Sequence, residues 1–323
     1  MKNLAVLTSG GDAPGMNAAI RAVVRTGLAK RLTVWGVANG YTGLIEGSYK
    51  RYGSRDVGSI IQRGGTILGS SRCAQFMSIE GRELAMHRLR GAGIEGLIVI
   101  GGNGSQAGAR AFHQMGFPVV GVASTIDNDL YGSDQTLGVD TALNIALSAI
   151  DNLKVTASSH RRALLVEVMG RNCGYLALMA GIAGGAEAIV LPEVEVEPEQ
   201  IAHSIQAAYE RGKPHAIVVV AEGARYNTAG LVEAFKQQHL LVGYDIRSTV
   251  LGYVQRGGTP TCADRLLGTR LGAAAVEQIV AGNSGVLVGI CKGELVATPY
   301  ETVVSGIKLL PSWYLESADI LAQ

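Results

Sequence analysis

Apolar and polar positions come in alternating blocks along the chain. Short, continuously apolar, β-branched runs end in Gly or Asp, and stretches of helical length and period follow them. Residues 4–8 predict a strand that leads through Ser9-Gly10-Gly11-Asp12-Ala13-Pro14-Gly15 into a helix over 16–30, and residues 33–38 predict a second strand. A helical stretch over 84–91 precedes a strand over 96–100, which runs into Gly101-Gly102-Asn103-Gly104-Ser105 and another helix. A strand over 119–123 ends in Ser124-Thr125-Ile126-Asp127-Asn128-Asp129. A long helix over 139–160 carries its apolar stripe at Leu143, Ile145, Ala146, Ile150 and Leu153. Strands over 163–168 and 216–221 close with Met169-Gly170-Arg171 and with Glu222-Gly223. Strands apolar on both faces are covered by helices on both faces, which predicts an α/β fold with mostly parallel sheets. Residues 175–191 are the most apolar segment, but Gly184, Gly185 and Glu187 break it. It reads as a buried helix and a strand rather than a membrane span. No Pro/Ser-rich linker separates halves, so a second domain is interleaved by crossovers.

Composition narrows the function classes. The chain has 323 residues, comfortable for two domains. Charged residues make up 17% and apolar ones 47%, enough for a large core and too apolar for disorder. The formal net charge of +1 gives no footprint for nucleic acid or an anionic membrane surface, and no aromatic and basic residues interleave to stack bases. Glycine is the outlier at 44 residues, placed singly or in pairs where the backbone must turn sharply or approach a ligand. Cys73, Cys173, Cys262 and Cys291 lie far apart without metal spacing, as expected of free thiols in a reducing, cytoplasmic setting. The apolar start is too short for a signal sequence before Ser9-Gly10-Gly11 ends it. Trp35 and Trp313 are expected in the core.

In open α/β sheets ligands bind beyond the carboxyl ends of the strands, and the polar residues cluster there. The turns at Gly10-Gly11-Asp12 and Gly101–Ser105 offer backbone N–H groups at helix starts with no Cβ in the way, a site for phosphate; tight βα turns need glycine for geometry alone. Neither is a Walker A loop or a dinucleotide fingerprint. Asp127 and Asp129 crowd two carboxylates at one strand end. That makes sense if one serves a divalent cation and the other takes a hydroxyl proton, or if both are solvated in an Asx-type turn. Arg72, Arg162, Arg171, Arg247 and Arg256 sit in loops where guanidinium forks suit phosphate oxygens, or make surface ion pairs. Glu222 could accept from sugar hydroxyls or be a solvated strand end.

Residues 7–18 (LTSGGDAPGMNA) closely resemble the opening of bacterial 6-phosphofructokinases. So do the Gly-Gly-x-Gly-Ser turn at 101–105, the TIDND run at 125–129, VEVMGR at 166–171 and LGYVQRGG at 251–258. They stand in the family's order and spacing over nearly the whole chain. The resemblance implies two α/β domains: 1–138 with 255–305, binding nucleotide, and 139–254 with 306–323, binding sugar phosphate. It implies a cytoplasmic homotetramer with active sites shared between subunits, moving the γ-phosphoryl of MgATP to the 1-hydroxyl of fructose 6-phosphate. Asp127 then takes the hydroxyl proton, Thr125 and Arg171 stabilise the transferring group, and Asp129 with residue 103 serves Mg²⁺. Gly11, Arg72, Cys73, Gly102, Asn103, Gly104 and Ser105 match the nucleotide site. Met169, Gly170, Glu222, Tyr253 and Arg256 match the sugar-phosphate site, joined by Arg162 and Arg247 from a neighbouring subunit. Arg21, Arg25, Lys154, Gly185, Glu187, Arg211, Lys213 and His215 match an effector pocket for ADP or phosphoenolpyruvate; Arg55 and Ser59 match it less clearly.

The chain departs from the family pattern at three places. Asn103 stands where an aspartate serves the metal. Ala123-Ser124 replaces Pro-Gly before Thr125, and Tyr253 replaces a histidine. A unit charge missing beside the metal is a loss on the order of several kcal/mol at an effective dielectric of about 20, unless another ligand compensates. Gly104, with no lysine at Ser124, favours ATP over pyrophosphate. The alternatives are a same-fold kinase using pyrophosphate or another sugar phosphate, and a non-catalytic binding subunit. Asn103 favours the latter; Asp127, Asp129 and Arg171 oppose it.

Overall fold

The computed structural model of the chain describes residues 1–321. In chain order the first strands and helices are β1 (Asn3–Thr8), α1 (Met16–Ala29), β2 (Thr33–Val37), α2 (Gly40–Glu46), β3 (Tyr49–Tyr52), α3 (Ile79–Gly91), β4 (Gly96–Gly101), α4 (Asn103–Gln114) and β5 (Val119–Ala123). Next come α5 (Val139–His160), β6 (Arg162–Val168), α6 (Tyr175–Ala183), β7 (Ala188–Val190), α7 (Pro198–Glu210), β8 (Ala216–Ala221), α8 (Thr228–Gln237) and β9 (Asp245–Val250). The last are α9 (Cys262–Val280), β10 (Val286–Cys291), β11 (Glu294–Pro299), α10 (Tyr300–Ser305) and α11 (Ser312–Leu321). The chain forms two compact units, Met1–Thr141 with Arg256–Lys308, and Ala142–Gln255 with the segment from Leu309 onward. The expected α/β class with mostly parallel sheets is the observed one.

The first unit holds a seven-stranded sheet in the order β11-β10-β5-β4-β1-β2-β3. Its central pairs are parallel and only the edge pairs β2/β3 and β10/β11 are antiparallel. β4 and β5 are buried throughout, and β1 from Leu4 on, because both faces are covered. On one face α1 packs against α9, where Gly268 and Gly272 let the backbones approach Ala18, Ala19 and Ala22 closely. On the other, Leu7, Leu97, Val99, Leu44, Leu89, Phe112 and Tyr300 fill one core.

The second unit is built on a four-stranded, all-parallel sheet, β7-β8-β6-β9. Leu165, Val218, Val220, Ile205, Leu231 and Phe235 form its core. Strand β9 is one edge of the sheet, and its alternating, mostly exposed pattern hides it from a search for continuous apolar runs. Helix α7 starts on a capping box, with Glu197 and Gln200 satisfying each other's backbone amides and Pro198 in the first turn.

Several boundaries shift for local reasons. Helix α3 begins at Ile79 rather than 84, because Ser78 caps it by accepting from Gly81 N at 3.0 Å. Trp35 packs half-buried against the core as expected, but Trp313 does not: it is 64% exposed. It stands on the short helix α11, which contacts α6, and its indole packs edge-on to Tyr314. Among the described residues no helix is long and apolar enough to cross a membrane.

Candidate functional site

In the first unit the β1–β4–β5 ladder places three loops side by side. Thr8 pairs with Ile100 and Gly101 with Ala123, so the segments that follow leave the sheet at one edge. Ser9 N donates to Ile100 O at 3.0 Å, and Ser124 N to Gly101 O at 3.3 Å. Of the sequence-predicted residues, Gly11, Gly102, Thr125, Asp127 and Asp129 stand in these loops, and Asn103, Gly104 and Ser105 form the first turn of α4 directly after Gly102.

The Thr125–Asp129 segment is fixed by Asn128, which sits in the left-handed region at φ 55°. Its Oδ1 accepts from Thr136 N at 3.0 Å, Thr136 Oγ1 at 3.2 Å and Lys308 Nζ at 2.9 Å, and its Nδ2 donates to Asp134 O at 3.2 Å. That clasp holds the two flanking carboxylates in place: Asp127 is buried at 3% exposure, and Asp129 is half-buried. Asp127 N donates to Thr125 Oγ1 at 3.2 Å. Asn103 opens α4, and its Nδ2 lies 3.4 Å from Asp129 O, so the side chain of 103 and residue 129 are neighbours. Sequence reasoning missed Asn128 and Lys308 as the support of this turn. A polar residue between two aspartates offers a signal for the first; nothing near position 308 offers one for the second.

The neighbouring loops are tied to the same edge. Ser70 Oγ donates to Gly10 O at 2.5 Å, Thr8 Oγ1 to Gly69 O at 2.8 Å, and Ser71 Oγ to Asn39 O at 2.9 Å. Asn17 Nδ2 reaches the carbonyls of Arg63, Gly64 and Gly65, while Asn17 Oδ1 accepts from Ile67 N at 2.9 Å. Exposed Arg72 and half-buried Cys73 follow directly. Arg256 is buried here, and its Nη1 donates to Asp12 O at 2.9 Å. A Cβ at Gly11 would lie 2.4 Å from the same guanidinium nitrogen, so any side chain there would displace the Arg256 guanidinium. Arg256, expected among the sugar-phosphate residues, thus stands against Gly11, expected at the nucleotide.

In the second unit Met169, Gly170, Arg171 and Glu222 meet beyond the ends of β6 and β8. The Glu222 carboxylate accepts from Gly170 N at 3.3 Å and Arg171 N at 2.8 Å, and Gln255 Oε1 accepts from Met169 N at 2.8 Å. Arg171 has φ 51° and an exposed side chain. Any Cβ at Gly223 would lie 1.7 Å from Arg171 O, so glycine there lets the turn close. Tyr253 is 83% exposed in the short 3-10 turn after β9.

Arg162 and Arg247 are not part of that group. Both pair with Asp245, at 3.3 and 2.9 Å. Arg162 opens β6, whose far end carries Met169–Arg171, so about 20 Å of strand separates them. The same end of the sheet holds most of the expected effector residues. Lys213 Nζ lies 3.2 Å from Glu187, whose Oε2 accepts from Ile217 N at 2.6 Å. His215 Nδ1 lies 2.8 Å from Ser158 Oγ, and a Cβ at Gly185 would lie 3.7 Å from Lys154 Nζ. Burial pushes the His215 pKa down; Lys154 and Lys213 push the same way and Glu187 opposes them. Exposed Arg211 caps α7 nearby in sequence. Arg21 and Arg25, on α1, and Arg55 and Ser59 belong to the first unit.

Both units therefore gather carboxylates, guanidinium groups and glycine-rich turns beyond the carboxyl ends of parallel strands, the class of α/β protein that holds phosphate-bearing ligands at that edge. The sequence profile of one family, Phosphofructokinase, matches residues 3–279, and the chain belongs to that family. It is 52% identical over 324 residues to the ATP-dependent 6-phosphofructokinase 1 of Thermus thermophilus, covering all of both chains. Among solved structures, phosphofructokinase from Saccharomyces cerevisiae matches with a TM-score of 0.89 at 35% identity, over 100% of this chain and 47% of the yeast chain. A pyrophosphate-dependent phosphofructokinase from Marinobacter aquaeolei matches at a TM-score of 0.86 and 24% identity, over 99% of this chain and 88% of that one, a likeness of fold alone.

Proposed function

We propose that the chain is an ATP-dependent 6-phosphofructokinase, moving the γ-phosphoryl of ATP to the 1-hydroxyl of fructose 6-phosphate to give the 1,6-bisphosphate and ADP. The observation that carries the reading is the clasped turn that seats buried Asp127 beside Thr125, next to Asp129 and the start of α4. Phosphoryl transfer demands positioning and charge stabilisation more than covalent chemistry. Asp127 takes the proton of the attacking hydroxyl. Thr125 and Arg171 neutralise the equatorial oxygens of the group in transit. Gly11, Arg72, Cys73 and the amides of Gly102–Ser105 bind the nucleotide, and open space at Gly104, where a Cβ would meet nothing within 4 Å, leaves room for it. Met169, Gly170, Glu222, Tyr253 and Arg256 bind the sugar phosphate.

The donor set fits Mg²⁺. The described residues hold no group of three or more His, Cys, Asp and Glu able to cage a metal, whereas Mg²⁺ is satisfied by one or two protein oxygens plus substrate phosphates and water. Asp129 and the Asn103 carbonyl would hold it, and when bound it would neutralise charge on the donor's phosphate oxygens. A coupled assay with fructose 6-phosphate and Mg²⁺ tests the whole reading. Turnover is expected with ATP and not with pyrophosphate; turnover with pyrophosphate alone, or with neither donor, overturns it. In the same assay Asn103→Asp is expected to raise kcat, because it restores a carboxylate where the amide supplies no charge. No gain would show that another group already compensates. Gly223→Ala is expected to push the Arg171 turn aside at a cost of about 1–3 kcal/mol, read as a roughly ten- to hundredfold loss of kcat/KM for the sugar phosphate.

The active unit is a homotetramer. Support comes from Arg162, which opens β6, and Arg247, which lies on the edge strand β9 beside it; strand length keeps both away from Glu222 of their own chain, so they serve a neighbouring copy. Lys154, Gly185, Glu187, Arg211, Lys213 and His215, with Arg21 and Arg25, bind ADP or phosphoenolpyruvate as effector. Four cysteines spaced far apart along the chain fit a cytoplasmic enzyme.

A further inference from the structure

We propose that Asn103 is a site of spontaneous modification, converting to aspartate and isoaspartate in the folded protein, while the chain's other Asn-Gly pair, Asn39-Gly40, stays intact. The reaction needs the backbone nitrogen of the following residue to reach the asparagine Cγ. The amide proton of Gly104 leaves to solvent base, a Gly104 N–Cγ bond forms, and the Cγ–Nδ2 bond breaks to release ammonia. Water then opens the five-membered imide. Cleaving the new N–Cγ bond gives aspartate; cleaving the original peptide bond gives isoaspartate, with the chain running through the side-chain carboxyl.

Sequence alone does not separate the two Asn-Gly pairs; their surroundings do. Asn103 and Gly104 are both exposed, and a Cβ at Gly104 would meet nothing within 4 Å, so the pair stands in open space. The first helical hydrogen bond of α4 runs from Gln106 N to Gly102 O at 3.0 Å. The Gly104 N–H therefore lies ahead of the bonded ladder, among the first-turn amides that have no intrahelical partner, at the end of the helix that frays most readily. Among the described residues the side chain is held by one long contact, 3.4 Å from Nδ2 to Asp129 O. Developing negative charge on nitrogen and on the product carboxylate is favoured at a helix N-terminus.

Asn39-Gly40 is locked by comparison. Asn39 sits at φ 55° with its N donating to Leu68 O at 2.8 Å and its O accepting from Ser71 Oγ at 2.9 Å. Gly40 is buried at φ 60°, and a Cβ there would lie 2.8 Å from Thr8 O. The imide ring cannot form without moving β1 and the 68–71 loop. Conversion at 103 places a carboxylate beside residue 129. The consequence for divalent cations rests on the metal reading above; the chemistry itself does not.

Peptide mapping tests it without any activity measurement. Trypsin cleavage after Arg90 and Arg110 releases a peptide in which Asn103 is the sole asparagine. After warm incubation of the intact protein at mildly alkaline pH, mass spectrometry should show the acid form accumulating in that peptide at least severalfold faster than in the peptide carrying Asn39. Isoaspartyl methyltransferase should label it, and Gly104→Ala should slow it. Equal rates at the two asparagines, no conversion at Asn103, or conversion unaffected by Gly104→Ala would each overturn the proposal.

Discussion

Asp127→Asn should lower kcat by about two to four orders of magnitude while leaving KM for both substrates within a few-fold, the signature of a lost proton acceptor that acts in the transition state. The substitution keeps the shape of a side chain that is 3% exposed, and the neighbouring Asn128 clasps the turn around it. Folding should therefore be unchanged, and circular dichroism with steady-state kinetics on one preparation separates the two effects. A loss smaller than roughly tenfold would remove Asp127 from the role of base, since general-base assistance is worth at least about a hundredfold. Asp129→Asn provides the contrast. It should raise the Mg²⁺ concentration needed for half-maximal rate, an effect that Asp127→Asn should not reproduce.

The central strands and the loops beyond them were legible because the physics that shapes them is local. A strand covered on both faces must be apolar at every position, and a chain leaving it toward a helix needs glycine and polar side chains, so β1, β4, β5, β6 and β8 announce themselves. The candidate carboxylates followed from their place at those strand ends. What stayed hidden depends on distant partners. Strand β9 alternates and is mostly exposed, and it is a strand because β6 pairs with it. Strand β3 is four residues long and half polar, and it owes its form to β2. The roles given to Arg72, Cys73 and the effector residues came from family resemblance; each arginine by itself reads more readily as a surface ion pair. Arg162 and Arg247 do make such a pair with Asp245 within the chain, which is compatible with either role. Trp313 shows the opposite failure: a large aromatic side chain is a strong core signal, and it gives way when the helix bearing it is short and terminal.

The largest loss of stability should come from a residue outside the catalytic set. Asp264 is fully buried near the start of α9, and its carboxylate accepts from Gly138 N at 2.8 Å, Thr141 N at 2.8 Å and Thr141 Oγ1 at 2.5 Å. It thereby caps α5, while Thr141 Oγ1 accepts from Thr261 N at 3.1 Å, and Thr261 in turn caps α9 by accepting from Asp264 N at 3.3 Å. Each helix start thus supplies what the other lacks. Asp264→Ala would leave two buried amides without acceptors, at about 1–3 kcal/mol apiece, and should destabilise the first unit by about 3–5 kcal/mol in total. Trp35 belongs to that unit, so its fluorescence in a Trp313→Phe background should show a lower denaturation midpoint with an unchanged slope. The pH dependence provides a second check. Burial raises the Asp264 pKa above the ordinary 3.8, against the lowering effect of its hydrogen bonds. The folded state therefore keeps its proton over a range in which the unfolded chain has lost it, and this group's contribution to stability falls as pH rises from 3.8 through the raised folded value. The deficit of Asp264→Ala against the parent should accordingly shrink across that interval. A deficit that grew with pH there would mean that hydrogen bonding, not burial, sets the ionisation of this carboxylate.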